Sequence, residues 1–355
     1  MTAHLLVTGG AGFIGSHFVE LVIRERPHYL VTVLDKLSYA GSLENLSGVL
    51  NNPRFRFLRG DITDRRLVGK LLRGEDLPPG WPPVTAVAHL AAESHVDRSI
   101  LDPTPFIRTN VLGTQTLLDA ALALWTKGNP ARPVFLQVST DEVYGSLGPE
   151  DPPWTEEAPL RPSSPYAASK ASADLLCLAY HRTFGLPVIV TRSGNNLGPR
   201  QFPEKLIPLL IARALEDLPL PLYGDGQQVR DWIYVEDHCR ALMALLEGGR
   251  PGEVYHVSAR NEKANLEVAR EILRLLGKPS SLIRFVEDRP GHDQRYALNP
   301  AKLERELGWR PHHSFPEALA ETVRWYRENP SWRERIRRRN YQRYYRRQYL
   351  SRLKT

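Results

Sequence analysis

Leu5-Leu6-Val7-Thr8-Gly9-Gly10-Ala11-Gly12-Phe13-Ile14-Gly15 is the stretch on which the fold turns. An apolar run ends at Thr8. Gly9, Gly12 and Gly15 then follow at a spacing of three, leading into an apolar helical pattern from about Gly12 to Arg24. Glycines at that spacing permit a tight turn, a close backbone approach to a pyrophosphate and close helix–sheet packing. A phosphate held there lies on the positive end of the helix. Leu30–Leu34 reads as a second strand, and Asp35 ends it twenty residues past Gly15, where a carboxylate holds adenosine ribose hydroxyls. The same charge repels a 2′-phosphate, so the pattern favours NAD over NADP, although Lys36 beside it weakens that preference slightly. A glycine motif alone is a weak sign; strand, helix and acid in register make it strong.

Strand and helix patterns keep alternating downstream. Phe55–Leu58 and Val84–Leu90 read as strands, a long helix is expected over about Thr104–Trp125, and Pro133–Val138 is another strand. A helix to about Phe184 and a strand at Val188–Val190 continue the series. This alternation implies right-handed βαβ crossovers and an α/β fold with a Rossmann-type, doubly wound parallel sheet. Residues 1–194 are expected to form the dinucleotide-binding domain and 195–330 mainly a smaller C-terminal substrate-binding lobe, with a return of the chain to the sheet left open. Gly60-Asp61-Ile62 follows the third strand, and Asp61 there is either an adenine contact or a helix cap.

Composition narrows the function classes. The chain has 355 residues, 42% hydrophobic and 25% charged, as in an ordinary soluble globular protein. Its net charge of +7 sits in the tail. Residues 331–355 carry ten Lys/Arg against one Glu, leaving the remainder slightly acidic. A nucleic-acid-binding domain more often bears its basic stripe across a folded face, so no nucleic acid is expected, and an anionic partner for the tail is the weaker reading. Tyr341, Tyr344, Tyr345 and Tyr349 in that tail are expected to pack from a helix onto the body. No run approaches the roughly 18 apolar residues of a membrane span. Cys177 and Cys239 fall in apolar helical patterns and read as buried, reduced thiols, which with the absence of a signal-type N-terminus points to the cytoplasm. The histidines show no metal-ligand spacing; His312 and His313 read as a solvated loop pair without a carboxylate companion, and no metal is expected.

The chemistry is concentrated in Ser139-Thr140-Asp141-Glu142-Val143-Tyr144-Gly145 and Tyr166-Ala167-Ala168-Ser169-Lys170. Thr140, Asp141 and Glu142 leave the carboxyl end of a strand, where open α/β sheets bind ligands. Tyr166 and Lys170 are one helical turn apart, and an ammonium close to a phenol is expected to lower its pKa towards working pH. A phenolate can then take a proton from a substrate hydroxyl while hydride leaves the same carbon. Asp141 and Glu142 supply an acid and a base for a second step, if their surroundings separate their pKa values. Lys205, Arg230 and Arg289 fit a diphosphate, although Arg230 could equally form an ion pair with Asp231 or Asp237. Asn265 reads as the cap of a helix starting at Leu266, with a possible second role against a base.

With those residues placed, the chain resembles the extended short-chain dehydrogenase/reductases, and among them the dTDP-glucose 4,6-dehydratases. The resemblance rests on the glycine stretch, Asp35–Gly41, His89–Ser99, Ser139–Gly145, Ser164–Ser172, Phe202–Leu206, Arg230–His238, Asn261–Asn265 and Asp288–Asp293, and covers nearly the whole chain. It implies NAD contacts at Phe13, Ile14, Asp35, Lys36, Leu37, Ser38, Asp61, Ile62, Leu90, Ala91, Ala92, Thr109, Tyr166, Lys170 and Asn196. It implies contacts with a nucleotide-sugar substrate, dTDP-glucose, at Ser94, Thr140, Asn195, Lys205, Leu206, Pro221, Leu222, Tyr223, Arg230, Asn265, Asp288, Arg289, Pro290, Gly291 and His292. By the same resemblance Glu142 is the base at sugar C5, Asp141 the acid at the C6 hydroxyl, and Thr140 holds the C4 oxygen. Gly194, Leu197 and Ala168 depart from residues usual in the family but remove no catalytic group. An epimerase of the same fold, and a catalytically silent NAD-binding protein, are the competing readings; the acid pair argues against the first and the intact Tyr166 and Lys170 against the second. Family members generally pair as homodimers through two long helices, here about 104–125 and 165–184.

Overall fold

A computed structural model describes residues 3–75, 77–125 and 132–338, with side chains to residue 335. The tail tyrosines Tyr341, Tyr344, Tyr345 and Tyr349 lie outside these residues. The chain begins β1 (Ala3–Thr8), α1 (Phe13–Glu25), β2 (Tyr29–Asp35), β3 (Phe55–Arg59), α2 (Arg65–Arg73), β4 (Ala86–His89) and α3 (Val96–Leu101). It continues α4 (Thr104–Phe106), α5 (Gly113–Trp125), β5 (Val134–Thr140), α6 (Pro165–Phe184), β6 (Val188–Ser193) and β7 (Asn195–Leu197). Then come α7 (Leu206–Ala214), β8 (Leu220–Tyr223), β9 (Val229–Tyr234), α8 (Val235–Gly248), β10 (Val254–Val257) and β11 (Glu262–Ala264). Last are α9 (Asn265–Leu276), β12 (Ile283–Val286), α10 (Ala301–Leu307), α11 (Phe315–Glu328) and α12 (Pro330–Arg338).

Seven parallel strands form the main sheet in the order β10-β6-β5-β4-β1-β2-β3. The order reverses direction between β1 and β4, the switch point at which such sheets open a crevice. Alternation along β1 explains the layering. Leu5 and Val7 face one core with Phe18 and Val22 of α1 and Leu242 and Leu245 of α8, while Leu6 faces the other with Leu71 of α2, Leu117 of α5 and Cys177 of α6. Both faces are covered, so the strands are almost entirely buried. A third core, with Leu210 of α7, Ile272 of α9 and Leu319 and Tyr326 of α11, belongs to the second lobe and takes in Trp332. Beyond Ser193 the chain leaves the sheet and returns to it once, when β10 pairs with β6.

The helix expected over 104–125 is not continuous. Between α4 and α5 the backbone forms a π-helical turn over Ile107–Leu112. Inside it, the Asn110 carboxamide accepts from Glu93 N at 2.9 Å and donates to Glu93 O at 3.0 Å and Ser169 Oγ at 2.8 Å. These bonds to two other segments locate the widened turn beside the crevice, where such turns recur at functional sites.

Candidate active site

The cofactor end is built by the first turn. Gly9 has φ +72, and a Cβ there would stand 2.6 Å from Ala91 N, so only glycine lets the loop after β4 close over the turn. Gly12 precedes α1 with no side-chain cap, which leaves first-turn amides facing the crevice, a ready anion site. The Asp35 carboxylate is held by Ala11 N at 3.0 Å and Leu37 N at 2.8 Å. Burial pushes its pKa up and the two amides push it back. Lys36 turns away from it: its ammonium donates to Thr109 Oγ1 at 3.2 Å and lies 3.6 Å from Glu93 and 3.9 Å from Asp61. Lys36 is thus paired elsewhere, and its charge acts on Asp35 less than the two amides do. A dinucleotide with free adenosine ribose hydroxyls fits this cradle.

One cleft is lined by Gly9, Gly12, Phe13, Ile14, Gly15, Asp35, Lys36, Ser38, Ile62, Leu90, Ala91, Ala92 and Thr109 on one side. The same cleft reaches Ser94, Thr140, Asp141, Glu142, Tyr166, Lys170, Asn195, Asn196, Lys205 and Leu206. Of the remaining expected residues, Asp61 sits at its edge beside Lys36 and accepts from Thr63 N and Oγ1, both at 2.9 Å. The helix cap falls to Asp64, which accepts from Arg66 N and Leu67 N at 3.0 Å each. Leu37 contributes backbone. Pro221 and Leu222 point into buried β8 and can offer only main-chain groups, whereas Tyr223 at the strand end turns towards α3. Asp288, Arg289, Pro290, Gly291 and His292 form one loop, in which Asp288 is bonded to His292 at 2.5 Å and to Gln228 at 3.1 Å.

Thr140 ends β5 and caps a 3-10 turn over Asp141–Tyr144, its Oγ1 accepting from Glu142 N at 3.3 Å and donating to Asp141 Oδ1 at 3.2 Å. The adjacent carboxylates have unlike surroundings. Burial raises Asp141 well above the usual carboxylate range, and the charge of Glu142 adds to it; Arg230 pulls only partly the other way. Its Oδ2 is buried without a partner. Burial raises Glu142 as well, but Arg289, Lys205 and Arg230 all oppose it. Both carboxyls are raised, but three cations oppose the shift of Glu142 where the charge of Glu142 itself adds to that of Asp141, so the surroundings separate the pair in the sense that acid–base chemistry at one centre requires. Burying Asp141 has a cost that titrates. With its folded pKa raised, wild-type stability is fully present below the ordinary carboxyl pKa of 3.8 and declines as pH rises through the folded value. Asp141→Asn does not titrate, so its melting temperature, measured with bound cofactor, should exceed wild type by a margin that widens with pH; a constant gap would show that Asp141 ionises freely in the fold.

Tyr166 departs from expectation. Burial, then the charge of Glu142, push its phenol above the normal value, with a hydrogen bond from Thr140 working against them. Lys170 is not among the groups that move it most. Its ammonium donates to Val138 O at 2.7 Å, and its own pKa is lowered by burial and raised by Asp174 one turn further along α6. The i,i+4 spacing puts both side chains on one face, but the strand carbonyl draws Lys170 inward. Ser164 caps α6 by accepting from Ala167 N at 3.1 Å, and Tyr166 N donates to Ser99 Oγ at 3.1 Å, so the tyrosine is fixed at both backbone and ring.

The substrate end corrects several expectations. Arg230 pairs with neither Asp231 nor Asp237: it donates to Val229 O, Gln294 O and Asp293 O and stacks 4.2 Å over the Tyr296 ring. Asp231 is taken by Ser258 and Asn261 N, and Asp237 by His313. His313 thus has the carboxylate companion that its sequence neighbours lack, supplied by α8 in the packed structure. Asn265 is the first helical residue of α9 rather than its cap, and its Oδ1 is buried without a partner among the described residues. Lys205 donates to Ser94 O at 2.5 Å. Sequence reasoning missed Glu204, bonded to Arg98 at 2.9 Å, and Asp293, whose carboxylate accepts from Tyr296 and Ser163. Glu204 lies in the Phe202–Leu206 segment and Asp293 ends the Asp288–Asp293 segment, so both could have been read there. His238, buried, approaches Asn196 Oδ1 at 2.8 Å and fixes that amide at the cleft. Among the described residues no group of three metal-ligating side chains converges.

The GDP-mannose 4,6 dehydratase family model matches residues 6–322. A dTDP-glucose 4,6-dehydratase of Actinoplanes sp. is 52% identical over 92% of this chain and 99% of its own. Among solved structures, DesIV of Streptomyces venezuelae, a dTDP-glucose 4,6-dehydratase crystallised with NAD, superposes with a TM-score of 0.87 at 51% identity, covering 94% of this chain and 99% of that one. A UDP-glucose 4-epimerase of Thermus thermophilus reaches a TM-score of 0.81 at 34% identity, over 92% and 99% of the two chains. Fold alone does not separate the two activities, but identity does, and this chain belongs to the GDP-mannose 4,6 dehydratase family, within it to the dTDP-glucose 4,6-dehydratases.

Proposed function

We propose that the protein removes water from dTDP-glucose to give dTDP-4-keto-6-deoxyglucose, as an NAD-dependent hydro-lyase. The observation that carries this is the pair of adjacent carboxyls, Asp141 and Glu142, lining the cleft at the end of β5 in unlike surroundings, burial and a like charge against Asp141 and three opposing cations beside Glu142. Held by the glycine turn and Asp35, NAD would supply a hydride acceptor for sugar C4 and then a hydride donor for C6, so that the cofactor is regenerated in each turnover. Tyr166 accepts the proton of the C4 hydroxyl, with Thr140 holding the same oxygen. A ketone at C4 acidifies the C5 hydrogen, and Glu142 removes it. Asp141 donates its proton to the departing C6 hydroxyl, so one water leaves; as hydride comes back to C6, Glu142 returns its proton to C5, and the proton taken up by Tyr166 restores Asp141 through solvent. Lys170 positions the cofactor ribose and Tyr166. Arg230, Arg289 and Lys205 bind the diphosphate and also bias Glu142 towards its charged form. Asn265, with its unpartnered Oδ1, meets the base.

An epimerase has no use for the elimination pair, and a silent binding protein none for a second, ionised carboxylate. The test is direct: protein mixed with dTDP-glucose should generate the alkali-dependent absorbance of a 4-keto-6-deoxy sugar, and no signal with any nucleoside-diphosphate glucose would sink the reading.

The working form on this reading is a homodimer. Ile107, Leu112, Leu175 and Phe184 are 51%, 42%, 57% and 53% exposed along the π-turn and α6, an apolar face that a second copy would cover. Leu175→Arg is expected to shift the sedimenting species from dimer to monomer; an unchanged mass would place the interface elsewhere. No helix among the described residues is long and apolar enough to cross a membrane. We place the enzyme in the cytoplasm, where the free thiols of Cys177 and Cys239 remain reduced.

A further inference from the structure

Asp97, on α3 of the sheet domain, was not among the expected site residues, yet it is 3% exposed and bonded to two that were. Its Oδ1 lies 3.2 Å from Arg289 Nη1, and its Oδ2 accepts from the Tyr223 hydroxyl at 2.9 Å. Arg289 and Tyr223 belong to separate segments of the second lobe, so one carboxylate crosses the cleft and fixes both. Burial alone would raise its pKa, but His95, Arg289 and Tyr223 outweigh it and hold the group below the usual range. It stays charged and keeps hold of the guanidinium. The remaining edge of Arg289 is not satisfied by protein: its Nε is buried without a partner among the described residues. A buried donor left open costs free energy unless a ligand supplies the acceptor. A phosphate oxygen is an acceptor suited to a guanidinium fork already anchored on its other edge.

We infer that Asp97 is a positioning residue for the nucleotide diphosphate, aiming Arg289 from across the cleft while Tyr223 fixes the carboxylate itself. The inference rests on the nucleotide-sugar reading given above. Asp97 touches neither the acid pair nor the cofactor cradle, so its loss acts through Arg289 on binding. A purely structural tie between lobes would instead lower stability and leave the bound geometry of dTDP unaffected.

The experiment measures dTDP binding by calorimetry, together with kcat and KM for dTDP-glucose, on NAD-loaded protein. Asp97→Asn keeps size and one acceptor but removes the charge; dTDP affinity is expected to fall about ten- to hundred-fold, with the loss in KM exceeding that in kcat. Arg289→Lys should fall similarly, and the double variant should bind within about twofold of Arg289→Lys alone, because Asp97 acts only through that side chain. Additive losses, or wild-type affinity in Asp97→Asn, overturn the inference. If Asp97→Asn does not fold, Tyr223→Phe removes the hydroxyl that holds the carboxylate; its dTDP affinity should drop about threefold, and wild-type affinity there overturns the inference equally. A wild-type protein that binds no dTDP overturns the functional reading itself.

Discussion

Glu142→Gln is expected to oxidise its substrate and then stop. The amide keeps the shape of the side chain but cannot accept the C5 proton, while Tyr166 and Thr140 still serve the C4 hydroxyl. Bound nicotinamide should therefore become reduced on adding dTDP-glucose, visible in its near-ultraviolet absorbance, with turnover down by about 10²–10⁴. The effect is large because no neighbouring carboxylate can substitute. Burial pushes Asp141 towards its protonated form, and Asp293 is already bonded to Tyr296 at 2.5 Å and to Ser163. Normal turnover by this variant would remove Glu142 from the role of base.

Tyr166→Phe should fail one step earlier. Its ring packs edge-on to Phe106 at 6.3 Å between centroids, and its backbone bond to Ser99 survives the change, so the fold should hold. Only the hydroxyl is lost. Turnover is expected to fall by about 10²–10⁴, and no reduced nicotinamide should accumulate. The two variants together separate oxidation from elimination. A pH series sharpens this. Burial and Glu142 hold the phenol above its ordinary value, so the phenolate fraction keeps growing through and beyond neutral pH. Single-turnover reduction by wild type should accelerate as pH rises, whereas the residual rate of Tyr166→Phe should not follow it. A flat wild-type profile would exclude the phenol as the group that takes the proton.

Much of this was legible because the signals are short-range. Strand alternation, the glycine turn and Asp35 at the end of β2 are matters of spacing within one βαβ unit, and the sheet follows from them. The acid pair is legible for the same reason: two carboxylates at a strand end are adjacent in sequence. What remained hidden depends on residues far apart. Asp97 and Arg289 are separated by 192 positions, and His313 meets Asp237 across 76. The π-turn was hidden too, since apolar periodicity in 104–125 does not register bonds from Asn110 to Glu93 and Ser169. Tyr166 and Lys170 show the limit of spacing as evidence. Four residues along a helix place two side chains on one face, but a strand carbonyl or a buried neighbour decides where each charge goes.

The return of the chain at β10 has a consequence for how the protein is made. During synthesis β6 leaves the ribosome about 60 residues ahead of the strand that pairs with its outer edge, at translation rates of roughly 5–20 residues per second. Until Val254–Val257 emerge, the nascent sheet presents Val190 to Ser193 as an open hydrogen-bonding edge. An uncovered edge of that kind recruits other chains. The last strand of the sheet is thus also its seal, and much of the second lobe must be synthesised before the first domain can close.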